Sequence, residues 1–145
     1  MGHISTVYGS IKGIPKYGDI GLALRRKNKA VIESLPIDDS QWPWIDRGMF
    51  LVQDPESTKM YRDQVIVFGA SYKEVEMEWE EWLKKFESIL KQLYWMSVTI
   101  HLETELIGNF TYEWDYDDRL LDSFATDDPG PTSLWSFSGG PRKFY

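Results

Sequence analysis

Residues 74–116 read EVEMEWEEWLKKFESILKQLYWMSVTIHLETELIGNFTYEWDY, and this stretch decides the fold. Its apolar residues change from a helical to a strand period within a few positions. In the first half, Trp79, Trp82, Leu83, Phe86, Ile89, Leu90 and Leu93 recur at the spacing of one buried helix face, opposite Glu78, Glu81, Lys85, Glu87, Ser88, Lys91 and Gln92. Acids crowd the start and lysines follow, which suits the helix dipole. Glu80–Lys84, Glu81–Lys85 and Glu87–Lys91 stand in the favourable i, i+4 order, each contributing about 0.2–0.5 kcal/mol. The spacing predicts a helix over 74–93. In the second half, Tyr94, Met96, Val98, Ile100 and Leu102 alternate with Ser97, Thr99, His101, Glu103 and Glu105, which predicts a strand over 94–106. Phe110, Tyr112, Trp114 and Tyr116 alternate with Thr111, Glu113 and Asp115, a second strand after the turn signal Gly108-Asn109.

The hairpin register is the open question. A tight Gly108-Asn109 loop pairs Glu105 with Tyr112 and Glu103 with Trp114, placing the aromatics among the acids. A loop one residue longer pairs Leu106 with Phe110 and aligns the aromatics with Ile100 and Leu102. A slip of one residue moves every side chain to the other face. Turn chemistry favours the first register and hydrophobic matching the second.

Working outward, a thinner apolar stripe (Ile20, Leu24, Val31, Leu35) predicts a helix over about 20–35, with Asp19 as candidate N-cap and Pro36 ending it. Strands are read over 4–14, 49–53 and 64–72, the last apolar on both faces as befits a central strand. The order β-α-β-β-α-β-β is that of an α+β domain of ferredoxin-like, split-βαβ type with an added C-terminal hairpin strand. Right-handed crossovers would set both helices on one face of a mainly antiparallel sheet. A single domain spans 1–145, with 117–145 an irregular segment whose aromatics pack it on the body.

At 145 residues and 17.0 kDa the chain has the size of one domain, and with 42% apolar and 27% charged residues it is neither disordered nor fibrous. Sixteen bases against 23 acids give −7, a balance opposed to nucleic acid or an anionic membrane as partner. The strand 64–72 also lacks the basic-Gly-aromatic order of RNA-stacking sheets. With no cysteine, disulfides, thiolate metal sites and cysteine nucleophiles are out. No apolar run approaches the ~18 residues of a membrane span and no signal-peptide core opens the chain, so a cytoplasmic protein is expected.

Motifs for chemistry are weak. His101-x-Glu103-x-Glu105 puts three ligand types on one strand side, but they span about 13 Å at a rise of about 3.3 Å per residue, too far to chelate one ion. A solvated strand face accounts for them. Asp115-x-Asp117-Asp118 resembles the start of a calcium loop, yet Leu120 and Thr126 stand where the pattern needs Gly and Glu. There is no Gly-x-Ser-x-Gly and no phosphate-binding glycine loop. No metal, cofactor or catalytic residue is therefore assigned. Arg25-Arg26-Lys27-Asn28-Lys29 reads as a solvated helix face. Trp42-Pro43-Trp44 reads either as core folded over the sheet edge or as a contact surface, since exposed aromatics concentrate at binding hot spots.

The acidity is local. Residues 103–128 hold nine acids and one base, whereas the rest holds 15 bases and 14 acids. Small, acidic, cysteine-free and tryptophan-rich, with an α+β layout, the chain resembles bacterial toxin-immunity proteins in composition and architecture. The resemblance implies a non-enzymatic module that caps a toxin's active site or blocks its substrate path. Its expected partner is a basic protein, steered by acids and gripped by aromatics: Trp42, Trp44, Glu103, Glu105, Tyr112, Glu113, Trp114, Asp115, Asp117 and Asp118. The competing expectation is a dimeric ferredoxin-like domain that binds a small ligand or catalyses.

Overall fold

The computed structural model describes residues 2–57, 63–116 and 130–145. Its elements are β1 (Ile4–Gly13), α1 (Gly18–Glu33), β2 (Phe50–Val52), β3 (Val65–Lys73), α2 (Trp79–Leu90), β4 (Trp95–Thr104), β5 (Asn109–Tyr116) and β6 (Trp135–Gly139). The strands form a six-stranded sheet in the order β2-β3-β1-β4-β5-β6, with every neighbouring pair antiparallel. This is the α+β class with two helices and an antiparallel sheet that the sequence pattern calls for.

Alternation sorts the sheet into two faces. Val7, Ile11, Ile66, Phe68, Val98, Ile100, Leu102, Tyr112 and Trp114 lie on one, all buried, and join a single core with Ile32 of α1 and the apolar residues of α2. Phe86 of α2 meets Phe68 at 5.2 Å and Trp114 at 5.7 Å, so this helix bridges β3 to β5. Trp79, Trp82 and Phe86 stack along the helix at 4.9 and 5.1 Å, the i, i+3, i+4 neighbours expected of one face. Gly9, at the middle of β1, sits under the Phe68 ring and so close to β4 that a Cβ there would meet the Thr99 carbonyl oxygen at 2.0 Å. The other face carries Tyr8, Val67, Glu103, Glu113 and Asp115, all exposed.

Three features differ from the sequence expectation. First, α2 begins at Trp79, because Glu74 adopts a left-handed φ of 51° and Val75–Glu78 forms a 3-10 turn. The buried Ser5 hydroxyl accepts the Val75 N–H at 3.0 Å and fixes that entry. Second, α1 starts at Gly18 with Tyr17, not Asp19, in the N-cap position and no side-chain cap. Its buried stripe is Gly21, Leu24, Asn28 and Ile32. Asn28 is the polar member: its carboxamide accepts the Tyr94 N–H (2.8 Å) and donates to the Tyr94 carbonyl (3.0 Å) and Gln64 Oε1 (3.1 Å). That pairing joins helix to sheet and satisfies the Asn28 carboxamide, while the buried Gln64 Nε2 is left without a partner among the described residues.

Third, the segment expected to be irregular contains β6, which pairs with β5 as Trp114↔Phe137 and Tyr116↔Trp135. Beyond it, Tyr112 Oη donates to the Pro141 carbonyl at 2.7 Å and Phe144 packs on Phe110 at 4.9 Å. The chain can turn there because Gly139 takes a φ of 131°, where any Cβ would lie 2.3 Å from the Thr111 oxygen.

Candidate functional site

The register of β4 and β5 settles which side chains share a surface. Leu102 faces Phe110, Ile100 faces Tyr112 and Val98 faces Trp114, with Glu103↔Asn109 the last pair. This is the face assignment favoured by hydrophobic matching, but the connection is longer than either loop weighed from sequence. The Thr104 hydroxyl closes it, donating to the Gly108 carbonyl (2.7 Å) and accepting the Ile107 N–H (3.1 Å), while Gly108 takes a φ of 103°. Burying a continuous row of aromatics outweighs the local preference for a tight turn.

The expected acidic-aromatic surface is therefore divided. Tyr112 and Trp114 are fully buried and form part of the core, so they are not partner-contacting residues. Trp114 Nε1 donates to Glu87 Oε2 at 2.9 Å, and Glu87 Oε1 receives Arg142 at 2.5 Å. The Arg142 guanidinium in turn lies over the Phe137 ring at 4.7 Å. Glu103, Glu113 and Asp115 remain exposed on the opposite, helix-free face. Asp117 and Asp118 lie outside the described residues.

At the centre of that open face Tyr8 Oη donates to Glu103 Oε1 at 2.8 Å, and the Tyr8 ring lies 5.1 Å from His101. The hydrogen bond to Glu103, reinforced by desolvation and the carboxylate charge, raises the Tyr8 phenol above its ordinary range. His101 Nδ1 lies 3.1 Å from the Thr111 hydroxyl. Glu105 accepts the Ile4 N–H at 2.9 Å and lies 3.4 Å from His3, and those two contacts lower its carboxyl pKa. The three motif residues thus serve three different neighbours, and among the described residues no three His, Asp or Glu side chains converge as a metal site. The imidazole–hydroxyl pair is open to water, and among the described residues no buried group orients the imidazole as nucleophile activation requires. Among the described residues, no helix is long and apolar enough to cross a membrane.

The basic run of α1 is engaged locally. Arg26 pairs with Glu56 at 2.6 Å, Arg25 reaches the Pro55 carbonyl, Lys29 lies 3.8 Å from Glu33, and Lys27 sits over the Tyr94 ring.

Trp42 and Trp44 occupy a loop that Arg47 N–H closes onto the Pro36 carbonyl at 2.9 Å. Ile45, 1% exposed, plugs it into the core. Asp39 accepts the N–H groups of Gln41 and Ile45, each at 3.0 Å, the first being the local Asx turn that Asp favours. Lys85 of α2 enters from the other side, bonding Asp39 Oδ2 and the carbonyls of Gln41 (2.7 Å) and Pro43 (3.1 Å). Burial pushes the Asp39 carboxyl up, but Lys85 and the two N–H groups outweigh it and hold it below the ordinary value. Tyr72 Oη donates to the Trp44 carbonyl at 2.6 Å and accepts from Trp82 Nε1 at 3.1 Å. Inside this frame the Trp42 and Trp44 rings touch edge to face at 4.7 Å and stay 40% and 47% exposed. Sequence reasoning singled out the two indoles but not Asp39, Tyr72 or Lys85, which hold them. The Asp39-Ser40-Gln41 turn was the available signal.

Compared with protein-family models, curated proteins and solved structures, the chain matches none.

Proposed function

We propose that the protein is a non-enzymatic binding module for a basic protein partner, a cytoplasmic inhibitor of the toxin-immunity kind. The observation that carries this reading is the helix-free sheet face on which Glu103, Glu113 and Asp115 stand exposed while their aromatic neighbours turn inward. The acids stand on β4 and β5, with Lys12 and Lys73 on β1 and β3 of the same face. A local patch of one sign raises encounter rates with an oppositely charged partner by about 10–10³ at low salt. On the same reading the fold is ferredoxin-like. The order β2-β3-β1-β4, with β1 between β3 and β4, supports it, β5 and β6 being additions at one edge.

The test uses the whole chain, immobilised and exposed to lysate of the native host, with the bound polypeptides identified. A basic polypeptide is expected, associating more slowly as salt rises. Its association rate should fall at least tenfold with the triple variant Glu103→Lys, Glu113→Lys, Asp115→Lys. Salt-independent association that the variant leaves unchanged overturns the proposal.

A further inference from the structure

An exposed tryptophan on a mobile loop is unremarkable, but the loop spanning 36–46 is tied down from within and from α2. Its buried Asp39 ties together Gln41, Ile45 and Lys85, and Asp46 Oδ1 accepts the Asp39 N–H at 2.6 Å. Lys85 Nζ directs its donors at Asp39, Gln41 and Pro43. Tyr72, itself held by Trp82, fixes the Trp44 backbone. A fixed frame of this kind would ordinarily bury its largest apolar groups. Here it leaves Ile37, Trp42 and Trp44 at 77%, 40% and 47% exposure. Rigid aromatics of this sort bind with little ordering cost, which is why they dominate interface energetics.

The charge around the indoles selects the ligand. Residues 36–46 contain Asp38, Asp39 and Asp46 and no base. With Lys85 bonded to Asp39 and Arg47 closing the loop, three carboxylates stand against two cations, which leaves the loop with one net negative charge. The Trp42 ring meets Tyr72 edge to face at 6.0 Å, and Asp46 follows Trp44 by two residues on the same loop. Exposed indole faces on an anionic loop favour a planar cation, and guanidinium stacks on an aromatic face better than a hydrated ammonium does.

We propose that Trp42 and Trp44 form a preorganised anchor for an arginine side chain presented by a protein partner. The inference rests on the partner being a basic protein, and it places that partner's grip away from the open sheet face. Because the sheet's two faces and the loop are separate surfaces, the two readings can fail independently.

The test is a titration of the full chain, with its tryptophan indoles isotopically labelled, with a short capped arginine peptide and with its lysine and citrulline counterparts. Citrulline keeps the planar shape and removes the charge. The arginine peptide is expected to shift the Nε1–H resonances of Trp42 and Trp44 in the millimolar range, while those of Trp82 and Trp114 stay in place. The lysine peptide should bind at least threefold more weakly, and citrulline should produce no shift. In Trp42→Leu/Trp44→Leu the response should vanish with the remaining indole resonances unmoved, which shows that the fold is intact. Equal shifts with citrulline, which mean a merely apolar contact, overturn the inference. So does an absence of shift at Trp42 and Trp44, or a response confined to the open face. In the last case the acidic-face reading stands and the indole anchor alone is lost.

Discussion

Lys85 and Glu87 lie two residues apart on α2 and organise two distant segments by opposite chemistry. At about 100° per residue they flank the buried stripe, one on each side. Lys85 is a cation that gathers acceptors: the Asp39 carboxylate and the Gln41 and Pro43 carbonyls. Glu87 is an anion that gathers donors: the Trp114 indole and the Arg142 guanidinium. The outcomes diverge. The lysine clasp holds a loop whose indoles point outward, whereas the glutamate clasp draws an indole inward and closes the C-terminal segment over it. Their burial differs too, the Glu87 side chain being 15% exposed and that of Lys85 29%. One helix therefore supports both a sealed edge of the core and a presented surface, and the depth of each charge sets how much stability depends on it.

Glu87→Leu should break the comparison most severely. It leaves the Trp114 N–H and a partly buried guanidinium unpaired, which costs about 3 kcal/mol. Denaturant unfolding at constant slope measures it, and a loss below about 1 kcal/mol would mean that Arg142 recovers its bonds in water. Lys85→Met keeps the stem and removes the donors, so a smaller loss of about 1–2 kcal/mol is expected. Its effect should concentrate in the loop, as faster hydrogen exchange at the Gln41 and Ile45 amides with the β1 and β4 amides unchanged. Uniform acceleration across the sheet would show that the loop is no separate unit.

The smallest effect sharpens the contrast by pH. Because the Asp39 carboxyl is lowered in the folded state, its contribution is fully present above the ordinary value of 3.8 and is lost as pH falls through the lower folded value. The loop amides should therefore lose protection at acid pH before the Trp114 indole becomes accessible. Asp39→Asn should flatten that early phase, and an identical acid profile in the variant would contradict the assignment.

The sequence pattern made both helices, the two-faced strands of 94–116 and the α+β class legible, because each rests on a local period that burial reinforces. The face of β5 followed from hydrophobic matching alone. Its register did not, because the Thr104 hydroxyl and Gly108 build a longer connection than the Gly108-Asn109 signal indicates. The strand β6 was hidden between Pro-Gly segments, although Trp135-Ser136-Phe137-Ser138 does alternate. Of the proposed contact residues that the structure describes, Glu103, Glu105, Glu113, Asp115 and the loop indoles stand exposed, whereas Tyr112 and Trp114 are buried. Asn28 and Lys85 looked like surface residues, since contacts across 66 and 46 positions leave no local trace.

The lengths of the strands carry a last consequence. The sheet begins with β2, three residues long, and ends with β6, five residues long, while the strands between them run from eight to ten. A growing fibril needs a long unpaired border to copy, and neither border here offers one. Without β6 the border would be β5, whose four aromatics would stand beside an unoccupied row of backbone donors and acceptors. The final strand thus serves as a stopper against polymerisation, and shortened forms of the chain lacking residues 135–139 are expected to precipitate where the full chain stays dispersed.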